Sequence, residues 1–271
     1  MVIKRIDREG VGYMRFKLDF STDRPELPIE YRRFILSFIK NALSKSVNGD
    51  LLGKYYADTN TKDFTWTLIV RKPHFTKEKL KFEGSGFSVI FSTDDKAQTG
   101  MYLMLAFLNQ KYKKYPTEEE NFIVLKNIIQ LNQYEIRDNA ACFATMPGSS
   151  VIVREHNRET NKDTYYTCAD EGYQEQFEKA LQNQAGMAGF SEPDVRSIRV
   201  CSVEGRKIVV KHYGVYIDAS IAEFVIAAPH YLLQHFYLNG VCGRKSMGFG
   251  MIEYKGGVAD DGRVYRASGG E

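Results

Sequence analysis

HYLLQHFYLNGVCGRKSMGFGMIEY, residues 230–254, decides how the second half of the chain folds. Its first ten residues form an apolar, helix-like run, and MIEY at its end has strand character. Between them Gly240, Gly243, Gly248 and Gly250 surround Arg244, Lys245 and Ser246. Gly240 is placed to end the helix. Pro229 suits the first turn, where a missing N–H would be unpaired anyway. A glycine-rich loop lets the backbone approach a ligand closely, and bare N–H groups beside cations favour phosphate. The spacing is not that of a P-loop, which needs GxxxxGK and then Ser or Thr at a strand-to-helix turn. Nor is it the dinucleotide fingerprint, which opens a helix after a strand. Here the order is helix, glycine loop, strand. A helix cap followed by a tight turn into a strand accounts for the spacing equally well.

Upstream, SSVIVRE (residues 149–155) is a strand, and EGYQEQFEKALQNQ is a helix with Tyr173, Phe177, Ala180 and Leu181 on one face. VRSIRVCSV and KIVVKHY are strands flanking a Glu204–Gly205 turn, and residues 217–227 are extended. The first half has the same order. YMRFKLDF alternates like a strand. LPIEYRRFILSFIKNALSKS then repeats apolar residues at Phe34, Ile35, Phe38, Ile39, Ala42 and Leu43, one face of a helix. Arg33, Ser37, Lys40, Asn41, Ser44 and Lys45 lie opposite. FTWTLIV and GFSVIFS are strands, GMYLMLAFLNQKY is a helix, and FIVLKNIIQLNQYEI supplies a further strand. Two βαββαβ halves in tandem give an α+β chain of two ferredoxin-like domains. The expected boundary falls near Asn139 to Gly148, where Met146–Pro147–Gly148 breaks the apolar pattern. That divides the chain into residues 1–140, residues 141–257 and a loose Gly-rich tail, 258–271.

The 271 residues are 43% hydrophobic, ample for two cores, and the net charge of +3 fits an anionic partner only weakly. No apolar run is long enough to span a membrane. MVIKRIDREG lacks the apolar centre of a signal peptide, so a cytoplasmic location is expected. Cys142, Cys168, Cys201 and Cys242 are scattered and are expected to be reduced thiols, with no zinc site, no other metal and no cofactor.

The segment VKHYGVYID…FVIAAPHYLLQHFYLNGVCGRKSMGFGMIEY resembles the C-terminal half of the CRISPR repeat-processing endoribonucleases, the Cas-six family of the repeat-associated RNA-binding superfamily. SSVIVRE with YYTCADEGYQEQFEKALQNQ resembles that family's mid-chain strand and helix. LPIEYRRFILSFIKNALSKS with KDFTWTLIV resembles its first helix and following strand. The resemblance implies a metal-independent nuclease that binds CRISPR repeat RNA and cuts the precursor guide transcript once per repeat. The RNA's own 2′-hydroxyl attacks the adjacent phosphate, leaving a cyclic phosphate and a 5′-hydroxyl. A non-catalytic repeat-binding subunit of an effector complex is the alternative. Other effector subunits and a homodimer are further partners the resemblance allows, and no membrane is among them.

Members of that family commonly carry a histidine on or just after the first helix, assisted by Tyr and Lys. This chain departs from the pattern: its first histidine is His74. By alignment with the family, Lys40 falls where some members carry a helical Tyr. Asn41 falls beside it, at a place where others carry His. Tyr56 falls near the loop position of the His, and Lys62 at the family's Lys. Lys45, Lys54 and Tyr31 are reserves. Apart from the resemblance, these are a solvated helix face and an exposed loop. Gly243, Arg244, Lys245, Ser246, Gly248 and Gly250 are assigned to RNA, with Arg154, Lys207 and Lys211 as second candidates. Residues 71–81 add Arg71, Lys72, Lys77, Lys79 and Lys81, on a solvated loop or at phosphate. His212, in VVKHY, is expected to pack rather than to catalyse.

Overall fold

The computed structural model describes residues 5–6, 12–46, 50–56, 62–117, 120–157, 159–259 and 262–265. Two compact units result, each with its own sheet and core.

The first unit comprises Met1–Asn132, Lys211–Val215 and Ser246–Gly248. Its elements are β1 (Arg5–Ile6), β2 (Gly12–Thr22), β3 (Glu26–Pro28), α1 (Tyr31–Ser44), α2 (Asp50–Tyr56), β4 (Phe64–Phe75), β5 (Lys79–Thr93), α3 (Thr99–Leu108), β6 (Lys114–Pro116) and β7 (Phe122–Gln130). The order β4-β5-β2-β7 makes a fully antiparallel sheet, with β5 and β2 at its centre and β7, which follows α3, beside β2. That is the ferredoxin-like arrangement. α1 forms because its apolar residues recur every three or four positions: Ile35, Phe38, Ile39, Ala42 and Leu43 are buried, while Arg33, Ser37, Lys40, Ser44 and Lys45 face solvent. Aromatic rings fill the core, with Phe16 stacked on Phe91 at 5.4 Å and Phe38 on Phe107 at 6.0 Å.

Residues 71–81 are strand, turn and strand rather than one loop, with Lys77 in the turn. β4 and β5 stay paired to a turn at residues 76–78, with Arg71 opposite Glu83 and His74 opposite Lys81, and β3 pairs with Lys79–Lys81 on the other side of β5. Cross-strand charge pairs support the pairing. Arg71 and Lys72 reach Glu83 at 3.7 and 2.9 Å, and Lys79 reaches Glu26 at 2.8 Å.

The second unit comprises Gln133–Val210, Tyr216–Lys245 and Phe249–Glu271. Its elements are β8 (Ala140–Thr145), β9 (Val153–Asn157), β10 (Lys162–Tyr166), α4 (Tyr173–Met187), α5 (Glu192–Ser197), β11 (Arg199–His212), β12 (Val215–Ala227), α6 (His230–Asn239), β13 (Ile252–Val258) and β14 (Val264–Tyr265). Its sheet, β11-β12-β8-β13-β14, repeats the ferredoxin-like order. Phe143, Phe177, Phe224 and Phe236 are fully buried in its core.

Three expectations for this half need correction. The first strand of the sheet is β8, AACFAT, not SVIVRE; three alanines give it little β-propensity, so its pattern is faint. SVIVRE contributes one isolated bridge, Val151 to Ser220, and then β9, which pairs with β10 in a separate ribbon. Glu204–Gly205 is no turn: β11 runs straight through it. Gly205 is needed there because a Cβ would lie 2.4 Å from the Ile221 carbonyl oxygen on the neighbouring strand. The real turn is Tyr213–Gly214, both at positive φ, as a two-residue hairpin requires. In the segment expected to be loose, Gly257–Val258 pairs with Val264–Tyr265, and the Tyr265 hydroxyl donates to Asp138 at 2.6 Å. Residues 266–271 lie outside the described residues.

Candidate functional site

Three sequence candidates converge in the first unit. Tyr56 ends α2, a helix the sequence did not announce, and its ring faces two lysines. Lys40 Nζ, from the polar face of α1, lies 4.8 Å from the ring centroid; Lys62 Nζ, just before β4, lies 5.9 Å from it. Cation–π attraction suits this arrangement, because each ammonium group lies within reach of the same electron-rich ring. The Tyr56 hydroxyl is buried and has no hydrogen-bond partner among the described residues. Burial first, then the nearby Tyr213 phenol, push its pKa well above the ordinary tyrosine value. Tyr56 is therefore a neutral ring beneath two cations, not an exposed loop residue.

Asn41 sits beside this group and donates from Nδ2 to Gln110 Oε1 at 3.3 Å. Tyr31 points into the core, and Arg32 stacks on it at 4.7 Å. Lys45 is exposed at the end of α1; the Lys54 side chain lies outside the described residues.

Tyr213 was not foreseen. It caps the β11–β12 turn, which belongs to the first unit. Its ring is 47% exposed. The Arg33 guanidinium lies 5.5 Å from its centroid, and the backbone N–H of Gly214 donates to Glu30 Oε1 at 2.9 Å. His212 is buried edge-on against it at 4.8 Å, the packed role expected. The sequence signal was the Tyr-Gly pair inside KHYGVY, a hairpin signature obscured by the competing Glu-Gly upstream.

The glycine loop divides between the units. Ser246 and Gly248 belong to the first, where their carbonyls accept from Trp66 Nε1 at 2.8 Å and Arg32 Nε at 3.1 Å. A Cβ on Gly248, whose φ is +86°, would meet the Trp66 ring at 2.8 Å. Gly250, in the second unit, would drive a Cβ to 2.1 Å from the Val241 carbonyl oxygen. These glycines are demanded by internal packing, whatever the loop also binds. Gly243 N–H donates to the Ile152 carbonyl at 3.2 Å, and Lys245 is only 6% exposed.

Arg244 donates from Nη2 to the Tyr165 hydroxyl at 3.0 Å. Tyr165 in turn donates to Asp163 Oδ2 at 3.2 Å, which also accepts from Arg154 Nη1 at 2.9 Å; His156 Nδ1 meets Asp163 Oδ1 at 2.8 Å. Burial would raise the Asp163 pKa. The bonds from His156, Arg154 and Tyr165 outweigh it and hold the carboxyl below its ordinary range. Lys207 is paired with Asp218 at 2.7 Å; Lys211 is half-buried on β11. No cluster of metal-ligating side chains occurs among the described residues, and no helix among them is long and apolar enough to cross a membrane.

Residues 129–254 match the family model described as "CRISPR associated protein Cas6, C-terminal". Comparison with curated proteins gives no match. Among solved structures, one described as a RAMP protein binding different RNA substrates is 18% identical, with TM-score 0.72, covering 89% of this chain and 99% of that one. A Cas6-related protein from Pyrococcus furiosus is also 18% identical, with TM-score 0.73 and coverages of 90% and 98%. A Cas6 product complex is 12% identical, with TM-score 0.66 and coverages of 89% and 99%. These likenesses speak for the fold. Lys40, Asn41, Tyr56 and Lys62 lie outside the residues matched by the family model.

Proposed function

We propose that this chain, whose residues 129–254 match the Cas6 C-terminal family model, binds CRISPR repeat RNA and cuts it, with Lys40 and Lys62 flanking the scissile phosphate. The observation that carries this reading is the pair of ammonium groups at 4.8 and 5.9 Å from one partly buried tyrosine ring. A site for phosphate transesterification needs positive charge where the phosphorane develops and a proton donor near the leaving oxygen. Lysine supplies both.

In the proposed step the 2′-hydroxyl gives up its proton to water as its oxygen bonds to phosphorus. The bond from phosphorus to the 5′-oxygen breaks, and that oxygen takes a proton from a lysine ammonium. A 2′,3′-cyclic phosphate and a 5′-hydroxyl remain. Tyr56 takes no proton itself: its phenol is kept neutral by burial and serves as the platform that holds the two cations together. Asn41, anchored to Gln110, stands at the edge of the group. The cluster contains no histidine. A missing positioned acid or base costs about 10²–10⁴-fold in rate, so slow turnover is expected.

The test is incubation with the cognate repeat RNA in EDTA. One cut per repeat with a cyclic-phosphate end, abolished by a 2′-deoxy substitution at the cut site, supports the reading. Intact RNA under tight binding would overturn it in favour of a non-catalytic repeat-binding subunit. That second reading is favoured by one observation, the absence of any histidine before His74.

A further inference from the structure

We infer that one face of the β9–β10 ribbon is a phosphate site for single-stranded RNA, and that Asp163 and Tyr165 are its positioning residues. This rests on the proposed RNA binding and adds a surface and two residues to it.

The ribbon has two unlike faces. Successive side chains on a strand point to opposite sides, and the register sets Arg154 opposite Tyr165 and His156 opposite Asp163. All four therefore share one side. The other side carries Glu155, which accepts from the Tyr166 hydroxyl at 2.9 Å. The first side is joined by Arg244 from the glycine loop, through its 3.0 Å bond to Tyr165. A chain of hydrogen bonds thus runs from Arg244 through Tyr165 and Asp163 to Arg154 and His156. Gly243 N–H, held by the Ile152 carbonyl, fixes the loop to the residue that leads into β9.

Asp163 is the informative residue. A surface meant only to attract phosphate gains nothing from a carboxylate at its centre, because like charges repel. Asp163 accepts from three side chains at once, and each bond restricts a side chain that would otherwise lose its freedom on binding RNA. Arg154 and Arg244 are long and flexible, and each guanidinium carries five N–H donors in a rigid fork. One donor from each is committed to the network, and the rest are oriented by it.

Positioning and bare electrostatics predict opposite signs for Asp163→Asn. Removing a negative charge from an anion site tightens binding if charge alone matters. If Asp163 positions the arginines, affinity for the cognate repeat RNA and for a short labelled oligouridine falls about tenfold. The slope of log affinity against log salt then flattens by roughly 0.7, the value of one phosphate contact on a single strand. Tyr165→Phe, which cuts the link to Arg244 without changing charge, shows the same loss. Glu155→Gln, on the opposite face, removes the same charge and leaves affinity and slope unchanged or slightly raised. Thermal melts confirm that each variant is folded; should Asp163→Asn not fold, Tyr165→Phe decides. Binding by Asp163→Asn as tight as, or tighter than, the parent overturns the inference while repeat binding stands. Failure of the parent chain to bind repeat RNA overturns both.

Discussion

Tyr56 separates a platform from a proton carrier. Its hydroxyl is buried without a partner among the described residues, so the ring is what the neighbouring lysines use. Tyr56→Phe is expected to cleave repeat RNA at close to the parental rate and to gain about 1 kcal/mol in urea denaturation, since an unsatisfied buried hydroxyl is removed. Tyr56→Ala, which removes the ring, loses both rate and stability. Lys62→Ala is expected to slow single-turnover cleavage by about 10²-fold or more with little change in RNA affinity; a large affinity loss would move Lys62 from chemistry to binding. Gly248→Ala tests the packing reading of the loop. Its φ of +86° and the Trp66 ring at 2.8 Å predict destabilisation by roughly 1–3 kcal/mol. Stability unchanged in a denaturant titration would contradict it.

Among the elements, α1 was legible because its apolar residues follow helical spacing; only its start departs, where Phe34 is half-buried and Arg32 is buried against the Gly248 carbonyl. β8 was not, because Ala140, Ala141 and Ala144 carry little strand signal and its pairing with β12 and β13 is long-range. The turn was misplaced from 213–214 to 204–205 for a related reason: glycine serves both sharp turns and close strand contact, and only the neighbouring chain tells them apart. At the site, Lys40, Tyr56 and Lys62 were reachable only through the family resemblance, since their own spacing reads as a solvated helix face and a loop, and Tyr213 joins them only through the fold. The Glu30 carboxylate bonded to Gly214 N–H holds that turn against the start of α1. Glu30→Ala is therefore expected to speed amide hydrogen exchange at Gly214 while exchange in β5 and β2 stays slow. Unchanged protection at Gly214 would show that the turn is held by other contacts.

Across the whole molecule, the alternation of strands and helices announced two ferredoxin-like sheets, but it could not announce that the chain returns late to finish the first. Buried phenols give a global pH response. Burial pushes Tyr55 up to about 12 and raises Tyr56 and Tyr173 further still. Tyrosines in the unfolded chain ionise near pH 10. Above that the unfolded state binds fewer protons than the native one, so stability is full below about pH 10 and falls as pH rises toward the native values. Denaturant midpoints at about pH 9 and pH 11 measure this; equal midpoints would refute it. The three-piece make-up of the first unit also sets a timetable for synthesis. Ser246–Gly248 leaves the ribosome more than a hundred residues after Asn132, which at about 5–20 residues per second is a delay of roughly 5–20 s. Until then Trp66, the sole tryptophan, lacks the Ser246 carbonyl that its indole N–H bonds. A nascent chain stalled before Ser246 should show shifted indole fluorescence and be cut by proteases in its N-terminal half, a vulnerability that ends as the glycine loop emerges.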